Sequence, residues 1–548
     1  MNETDQIIRL ADGSLGGKGR ALAFINALLV ASDINAHFKH IEVLLPSTAV
    51  IGTYEYVRFM EMNGNPDLRH GNRQIINHFL KGLLSPELLT KLRMYLEQVR
   101  KPLAVRSSGL LEDSTSQPMA GIYSTHLRAN THPDREIRLQ QLCDAIKMVF
   151  ASMHFRESRR YLQNIQFNPE EERMAVLIQE IAGAVHNGYF YPHFTGVAQS
   201  YNAHPRGYLK SDDTIAWMCF GLGKGLDNHE SVFLFSPNYP SMNLNDEVVN
   251  QKEFFAVSLK SGMETLASVN QSDATRLPIL HAMDESCLKQ FFKQDEQIGE
   301  NILDISAILT DKRFLIPRVI NEILDMGQTA IGKPVEIEFA MQFEKRGEEL
   351  HCLFYVLQLR PIAVQIEGVV IKPEKTEHDK LLLMSRRCRG SGRYMGIRDI
   401  LWFRQDSFET AEVPEIIEAL RLQNRKMEQE ERPYLLVAPC KWGSRNPYTG
   451  IPIKWTDISC AKVLVEISES AGTSSLLRGT HFLTNLNALN IGYIMVSNKD
   501  AEEYFNREWF TNRQTDMVSR YFAHIRLEEP LTIEMDARNG VAVIYKPE

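Results

Sequence analysis

Apolar positions along this chain change period several times, and each change marks an element. From Gly19 to about Ala31, the residues Leu22, Ile25 and Leu29 recur on the spacing of one helical face. Ser85-Pro86 opens a second helix, the serine as N-cap and the proline at the first helical position. Leu88, Leu92, Leu96 and Val99 run along one side of it. Pro102 stops that helix, and Leu103–Val105 enters as a strand. Ile137–Ser152 carries a helical pattern, Met174–Gln179 and Trp217–Leu222 are extended, and Glu296–Leu324 is mostly helical. Helix alternating with strand predicts a mixed α/β domain over residues 1–365. Residues 366–381 then turn polar and rich in Lys and Glu, the composition of a linker. Beyond them Pro414 begins a helix with Ile416, Leu420 and Met427 on one face, and Pro433 ends it. The strands Tyr434–Ala438, Ala461–Ile467 and Ile491–Val496 follow, with a helical stretch between the last two. A smaller α/β domain over 382–548 is therefore expected.

A chain of 548 residues exceeds one hydrophobic core, in agreement with two or three domains. The net charge of −8 and the lack of a basic block argue against nucleic acid or an anionic membrane as the main partner. Seven scattered cysteines without a CxxC pair argue against a zinc site and against a disulfide framework, and suit a reducing compartment. The apolar stretch Ala21–Ala31 is too short to span a bilayer and contains Asn26. No signal peptide is read at the start, so a cytoplasmic protein is expected.

Candidate chemistry begins at Gly13-Ser-Leu-Gly-Gly-Lys-Gly19, a glycine-rich turn into a helix. It is not a Walker A motif, which would need Gly at position 12 and Ser or Thr at 19. The amides of Gly16 and Gly17 and the ammonium of Lys18 could face a phosphate, or the segment could be a plain turn with a solvated lysine. Arg106, at the end of an apolar strand, could hold phosphate oxygens in its fork, or pair with Glu112 or Asp113. Glu336 and Glu338 alternate with Val335, Ile337 and Phe339 and so face one side of a strand; Gln358 and Arg360 repeat the alternation. A lone Glu-x-Glu is usually a solvated face. Two such strands side by side would gather hard oxygen ligands suited to Mg²⁺ beside a guanidinium suited to phosphate. Gln179 and Glu180 end the apolar run 175–181, which by itself could be an ordinary core strand. Gly221-Leu-Gly-Lys-Gly225 is a second flexible loop, though it lacks the last glycine of GxGxxG.

Together, Leu103-Ala-Val-Arg-Ser-Ser-Gly-Leu-Leu-Glu-Asp-Ser114, Ala120-Gly121, Val335-Glu-Ile-Glu-Phe-Ala340, Tyr355-Val-Leu-Gln-Leu-Arg-Pro361 and the Gly-Gly-Lys turn make a recognisable set. It resembles the nucleotide-binding domain of phosphoenolpyruvate synthase and pyruvate phosphate dikinase over roughly residues 10–365. The resemblance implies an ATP-grasp-like fold in which two lobes clamp ATP. It implies Mg²⁺ on Glu338 and Gln358, with phosphate on Arg360 and Arg106. It also implies adenine against the segment ending at Gln179 and Glu180. Glu336 stands where the family usually has Asp, so its place as a third metal ligand carries a longer arm.

The family's pyruvate-binding barrel has no room here: about 170 residues follow the linker, and a (β/α)₈ unit needs ~250. The C-terminal region carries the segment Trp442–Trp455, with Arg445 and Lys454, which is either a binding loop for an anion or a packed aromatic loop. In Gly479-Thr480-His481-Phe482, followed by Leu489 and Ile491, the offsets match those around the family's phosphoacceptor histidine, although the preceding Gly-Gly is missing. His481 is thus a candidate nucleophile, with a structural histidine as the alternative. The expected function is an ATP-dependent phosphotransferase that passes a phosphoryl or pyrophosphoryl group to His481, or to a histidine of a separate acceptor protein or domain. The other expectation is a non-catalytic ATP-binding regulatory module acting through a partner protein.

Overall fold

The computed structural model describes residues 6–547 apart from several segments. These are 113–121, 203–208, 228–231, 245–250, 261–263, 269–291, 295–300, 363–370, 372–377, 405–408, 444–449, 469–485 and 487–490, and short breaks at 70, 165–166, 170, 187, 243, 252, 304–305, 498, 514–515, 518 and 538. The chain divides into two compact units, residues 1–202 with 212–362, and residues 363–548 with 203–211. Among the described residues no helix is long and apolar enough to cross a membrane.

The first unit is a mixed α/β structure built around two principal sheets. One has five strands in the order Ile7–Ala11, Thr48–Ile51, Met174–Glu180, Leu103–Gly109, Thr125–Arg128. The other has six, in the order Phe233–Phe235, Ile215–Phe220, Phe194–Gln199, Val335–Arg346, Glu349–Pro361, Ile41–Leu44. Local signals place the helices that cover them. Ser85 caps the helix Pro86–Gln98, its Oγ accepting from Leu88 N at 3.2 Å, as the serine–proline pair predicts. The helix Ile316–Ile331 has Pro317 in its first turn and ends on Gly332 at φ +73°, whose N–H donates to Gln328 O at 2.8 Å. Its buried face, Ile316, Val319, Ile320, Ile323 and Leu324, belongs to the same core as Leu22 and Ile25 of the helix Gly16–Ser32. Val335, Ile337, Phe339, Met341 and Phe343 supply the sheet side of that core. Each such side chain stabilises the unit by roughly 1.5–3 kcal/mol.

One irregularity aims the polar residues. Glu338 pairs with Gln358, but the next pair is Phe339 with Val356, so Leu357 is an extra residue. Strict alternation would put Gln358 and Arg360 on the face of Phe354 and Val356, inside the core. The bulge reverses the parity. Phe354, Val356 and Leu359 all join the core, and Gln358 and Arg360 turn to the face of Glu336 and Glu338.

The second unit is dominated by one large mixed sheet. Gly392–Phe403, Tyr434–Ala438, Ala461–Ile467 and Gly492–Val496 run parallel, while Phe522–Asp536 and Val541–Tyr545 extend it antiparallel. The helix Val413–Gln429 precedes the second of these strands and buries Ile416, Leu420 and Met427. The long strand Phe522–Asp536 escapes a reading by pattern because Glu528-Glu529-Pro530 reads as a turn. In the structure the ladder breaks there, between the pairs Arg526–Asp399 and Leu531–Ile397, and proline is tolerated at such a break.

The helical expectation for Glu296–Leu324 is corrected in part. Asn301–Leu303 is a strand paired with Phe292–Gln294, and helix begins at Ser306–Thr310. The run Ile302, Leu303, Ile305 fits either period, and tertiary pairing decides such short runs. The helical stretch expected between Ile467 and Ile491 falls almost wholly outside the described residues, as does most of the linker.

Candidate functional site

The five-stranded and six-stranded sheets meet around Arg106. Its strand places it opposite Leu177, diagonal to Gln179. Guanidinium Nη1 donates to Gln179 Oε1 at 3.2 Å and to Leu357 O, the carbonyl freed by the bulge, at 3.4 Å. Nη2 donates to Gln358 Oε1 at 2.7 Å and to Glu338 Oε2 at 3.2 Å. One guanidinium therefore joins both sheets through four oxygens. Of the two partners considered for Arg106 within its own segment, Glu112 instead pairs with Lys18, and Asp113 lies outside the described residues.

Two more cations are held in the same way. Lys18 Nζ bonds Glu112, and also reaches the carbonyl and hydroxyl of Ser107 at 3.3 Å each. The Glu112 carboxylate is buried and accepts further from Ser107 Oγ at 3.0 Å and from Gly109 N at 2.7 Å. Arg360 Nε donates to Glu336 Oε1 at 2.7 Å, a second guanidinium nitrogen bonds the same oxygen, and Gln199 Nε2 donates to Oε2 at 2.5 Å. Both oxygens of Glu336 are thus engaged within a buried pair. Glu338 Oε2 and Gln358 Oε1 converge instead on one nitrogen of Arg106, whose side chain is partly open to solvent.

The glycines at the turn serve close approach. Gly16 sits at φ +70°, and a Cβ on it would fall 1.8 Å from Ser108 O. A Cβ on Gly17 would fall 1.4 Å from Glu112 O. Ser108 Oγ accepts from Gly19 N at 3.0 Å and donates to Leu15 O at 2.7 Å. The turn is thereby clamped onto the end of the Arg106 strand, which fixes Lys18 beside it.

Other candidates separate from this cluster. Gln179 belongs to it, and its Nε2 also donates to Thr48 Oγ1 at 3.3 Å. Glu180 pairs with Lys101 at 3.2 Å, and its N–H donates to Ser47 O. In the second loop, Gly221 has φ +83° and Lys224 lies 5.0 Å over the Phe255 ring. His481, Ala120-Gly121 and Arg445 lie outside the described residues. Gln199 and Thr48 were not anticipated, since each ends or opens an apolar strand with no flanking motif. Glu172 is a further buried carboxyl close to this region. Burial, reinforced by the charge of Glu112, pushes its pKa up to about 7, against the pull of the Leu110 and Leu111 amides.

The model of the pyruvate phosphate dikinase AMP/ATP-binding domain matches residues 12–380, more than half of the chain. The chain belongs to this family. The dikinase match takes in all three cation–carboxylate pairs and the bulged strand that aims Gln358 and Arg360. Nucleotide is the ligand class of the domain, and phosphotransfer is the chemistry of its family. A search against curated proteins returned no match. Nucleotide as the ligand of the domain gives the cluster a chemical meaning. Three cations, each neutralised by a carboxylate of this chain, are groups that phosphate oxygens can take over. Glu338 and Gln358 already focus two hard oxygens on one positive charge, and such oxygens could hold Mg²⁺ together with phosphate and water.

Proposed function

We propose that this chain is an ATP-dependent phosphotransferase of the dikinase type, binding ATP with Mg²⁺ in an ATP-grasp-like domain and passing a pyrophosphoryl group to His481. The observation that carries the proposal is the convergence of Gln179, Glu338, Gln358 and the Leu357 carbonyl on Arg106. Nucleotide binding exchanges these partners. Arg106 turns its fork to phosphate oxygens, and Glu338 and Gln358 are released to hold the metal. Mg²⁺, when bound there, neutralises charge that builds on the phosphates. Arg360 contacts phosphate with its orientation set by Glu336, whose oxygens are taken by Arg360 and Gln199, so that Glu336 acts as a positioning carboxylate in place of the third metal ligand that the resemblance implies. Lys18 adds a point charge at the mouth of the helix. Gln179 orients Arg106 from the neighbouring strand, and the segment through Glu180 lines the adenine side.

Transfer needs the unprotonated imidazole. Its lone pair attacks the β-phosphorus, an N–P bond forms, and the bond from that phosphorus to the oxygen bridging to the α-phosphate breaks. AMP leaves with that oxygen's electron pair. Positioning and charge neutralisation supply most of the acceleration in such a transfer. The acceptor belongs to the second domain, residues 382–548, which joins the nucleotide domain through 366–381. The protein is expected in the cytoplasm, with no nucleic acid or membrane partner.

Calorimetric titration with ATP tests the metal and phosphate assignments. Wild type should bind ATP more tightly with Mg²⁺ than without it. Glu338→Gln should lose most of that difference while keeping its fold. An Mg²⁺ effect of equal size in both proteins would remove Glu338 from the metal site.

A further inference from the structure

A second group of ligating side chains lies on the six-stranded sheet, at the opposite end of the strand that carries Gln358. His40 immediately precedes the edge strand Ile41–Leu44, and Glu349 and His351 open the neighbouring strand Glu349–Pro361. Glu349 and His351 stand two residues apart and so share a face. The strands pair in parallel from Cys352 opposite Ile41, and Cys352 N donates to His40 O at 2.8 Å. Hydrogen bonding of the backbone thus fixes the points from which all three side chains project.

One ligand atom from each residue lies within 4.8 Å of the other two. Glu349 Oε2 is 3.9 Å from His40 Nδ1 and 3.8 Å from His351 Nε2. These separations are too long for hydrogen bonds and suit groups ranged around a common point. The imidazoles do not stack; their centroids are 5.6 Å apart with the planes inclined at 52°. An ion equidistant from the three atoms would lie about 2.5 Å or less from each, against ~2.0–2.2 Å for Zn–N and Zn–O bonds. A shift of a few tenths of an ångström closes that gap. The other carboxylate oxygen, Oε1, accepts from Lys39 Nζ at 3.2 Å, which leaves Oε2 toward the two imidazoles on a side chain that is 54% exposed. The side chains of His40 and His351 are 20% and 19% exposed, so solvent reaches the site and water can complete the shell.

We propose that His40, Glu349 and His351 form a binding site for a divalent transition-metal ion, Zn²⁺ by preference. Two imidazoles with one carboxylate is a borderline donor set that suits zinc and disfavours Mg²⁺ and Ca²⁺. Scattered cysteines argue only against a thiolate zinc site, and no cysteine takes part here. The ion would tie the strand Ile41–Leu44 to its neighbour Glu349–Pro361 in the sheet. Seven positions, roughly 20 Å of extended strand, take the chain from His351 to Gln358, so the proposal stands independently of the nucleotide site.

The test uses the full chain stripped with chelator and titrated with Co²⁺, alongside His40→Ala, His351→Ala and Glu349→Gln. Wild type should bind one Co²⁺ with the visible absorption of a low-coordinate nitrogen and oxygen site, and Zn²⁺ should displace it. Loss of a ligand should weaken binding by at least the ~10–100-fold that loss of an outer-shell partner costs. Zn²⁺ should raise the thermal midpoint of wild type and not of the histidine variants. Circular dichroism checks the fold of each variant. Glu349→Gln keeps the shape and an oxygen for Lys39, so it reports on the ligand charge if an alanine variant unfolds. Absence of Co²⁺ binding to wild type, or equal affinity in wild type and the folded variants, overturns the proposal.

Discussion

Replacing Arg106 by alanine removes a group with four hydrogen-bonded oxygens around it, and two kinds of cost can be separated. The first is structural. The Arg106 and Glu338 side chains are 14% and 25% exposed, so Glu338 keeps some access to water after the change. The ion pair itself contributes about 1 kcal/mol or less, but the buried amide oxygens of Gln179 and Gln358 also lose this donor, at about 1–3 kcal/mol each. The second cost is catalytic. A guanidinium aimed at phosphate oxygens is an electrostatic stabiliser, and loss of one such donor costs ~10²–10³-fold in rate, about 2.7–4 kcal/mol. The two losses are of similar size, so the rate is compared per folded molecule, with the unfolding measurement giving the structural part. Arg106→Lys, which keeps the charge but loses the fork, should recover stability more fully than rate. The assay measures AMP formation with saturating Mg²⁺ and ATP, beside urea unfolding of the same proteins. A cycle through Arg106→Ala, Glu338→Ala and the double variant reports the coupling of the pair in each measurement. If Arg106→Ala keeps its rate within about threefold of wild type while unfolding reports an intact fold, the guanidinium is a strut between sheets and the phosphate role fails.

Gly17→Ala should destabilise the first unit by about 4 kcal/mol or more in urea unfolding, because its Cβ would meet Glu112 O at 1.4 Å and backbone must move. Ser85→Ala should cost about 1–3 kcal/mol, since it removes a helix cap and leaves the buried Glu55 Oε2 without the hydroxyl that now donates to it at 2.8 Å. Glu172 predicts a pH dependence. Its pKa is raised in the fold to about 7, so between about pH 4.5 and 7 the folded state binds more protons than the unfolded chain, and stability falls as pH rises through that window. The loss is about 3–4 kcal/mol, and Glu172→Gln should flatten it in urea titrations at several pH values.

Local signals were legible where they were short-range. The Ser85 cap, the helix beginning near Pro414 and the strand Tyr434–Ala438 are all found from residues within a turn of the boundary. What strict periodicity hides is the bulge at Leu357. Two residues apart in sequence, Val356 and Gln358 nonetheless face opposite sides. The pairing of Arg106 with Glu338 spans 232 positions, and nothing local to Arg106 distinguishes Glu338 from Glu112 as its partner. Gln199 and Thr48 join the cluster through the order of strands in two sheets, information that exists only once the sheets have formed. In the second unit, Pro530 conceals a strand of 15 residues because a ladder irregularity accommodates it.

The most direct test of the central claim is incubation of the purified chain with Mg²⁺ and ATP labelled on the β-phosphate, wild type beside His481→Ala. Wild type should release AMP and carry acid-labile label, and His481→Ala should do neither while binding ATP as tightly. Tight ATP binding by wild type with no AMP and no label would contradict the account.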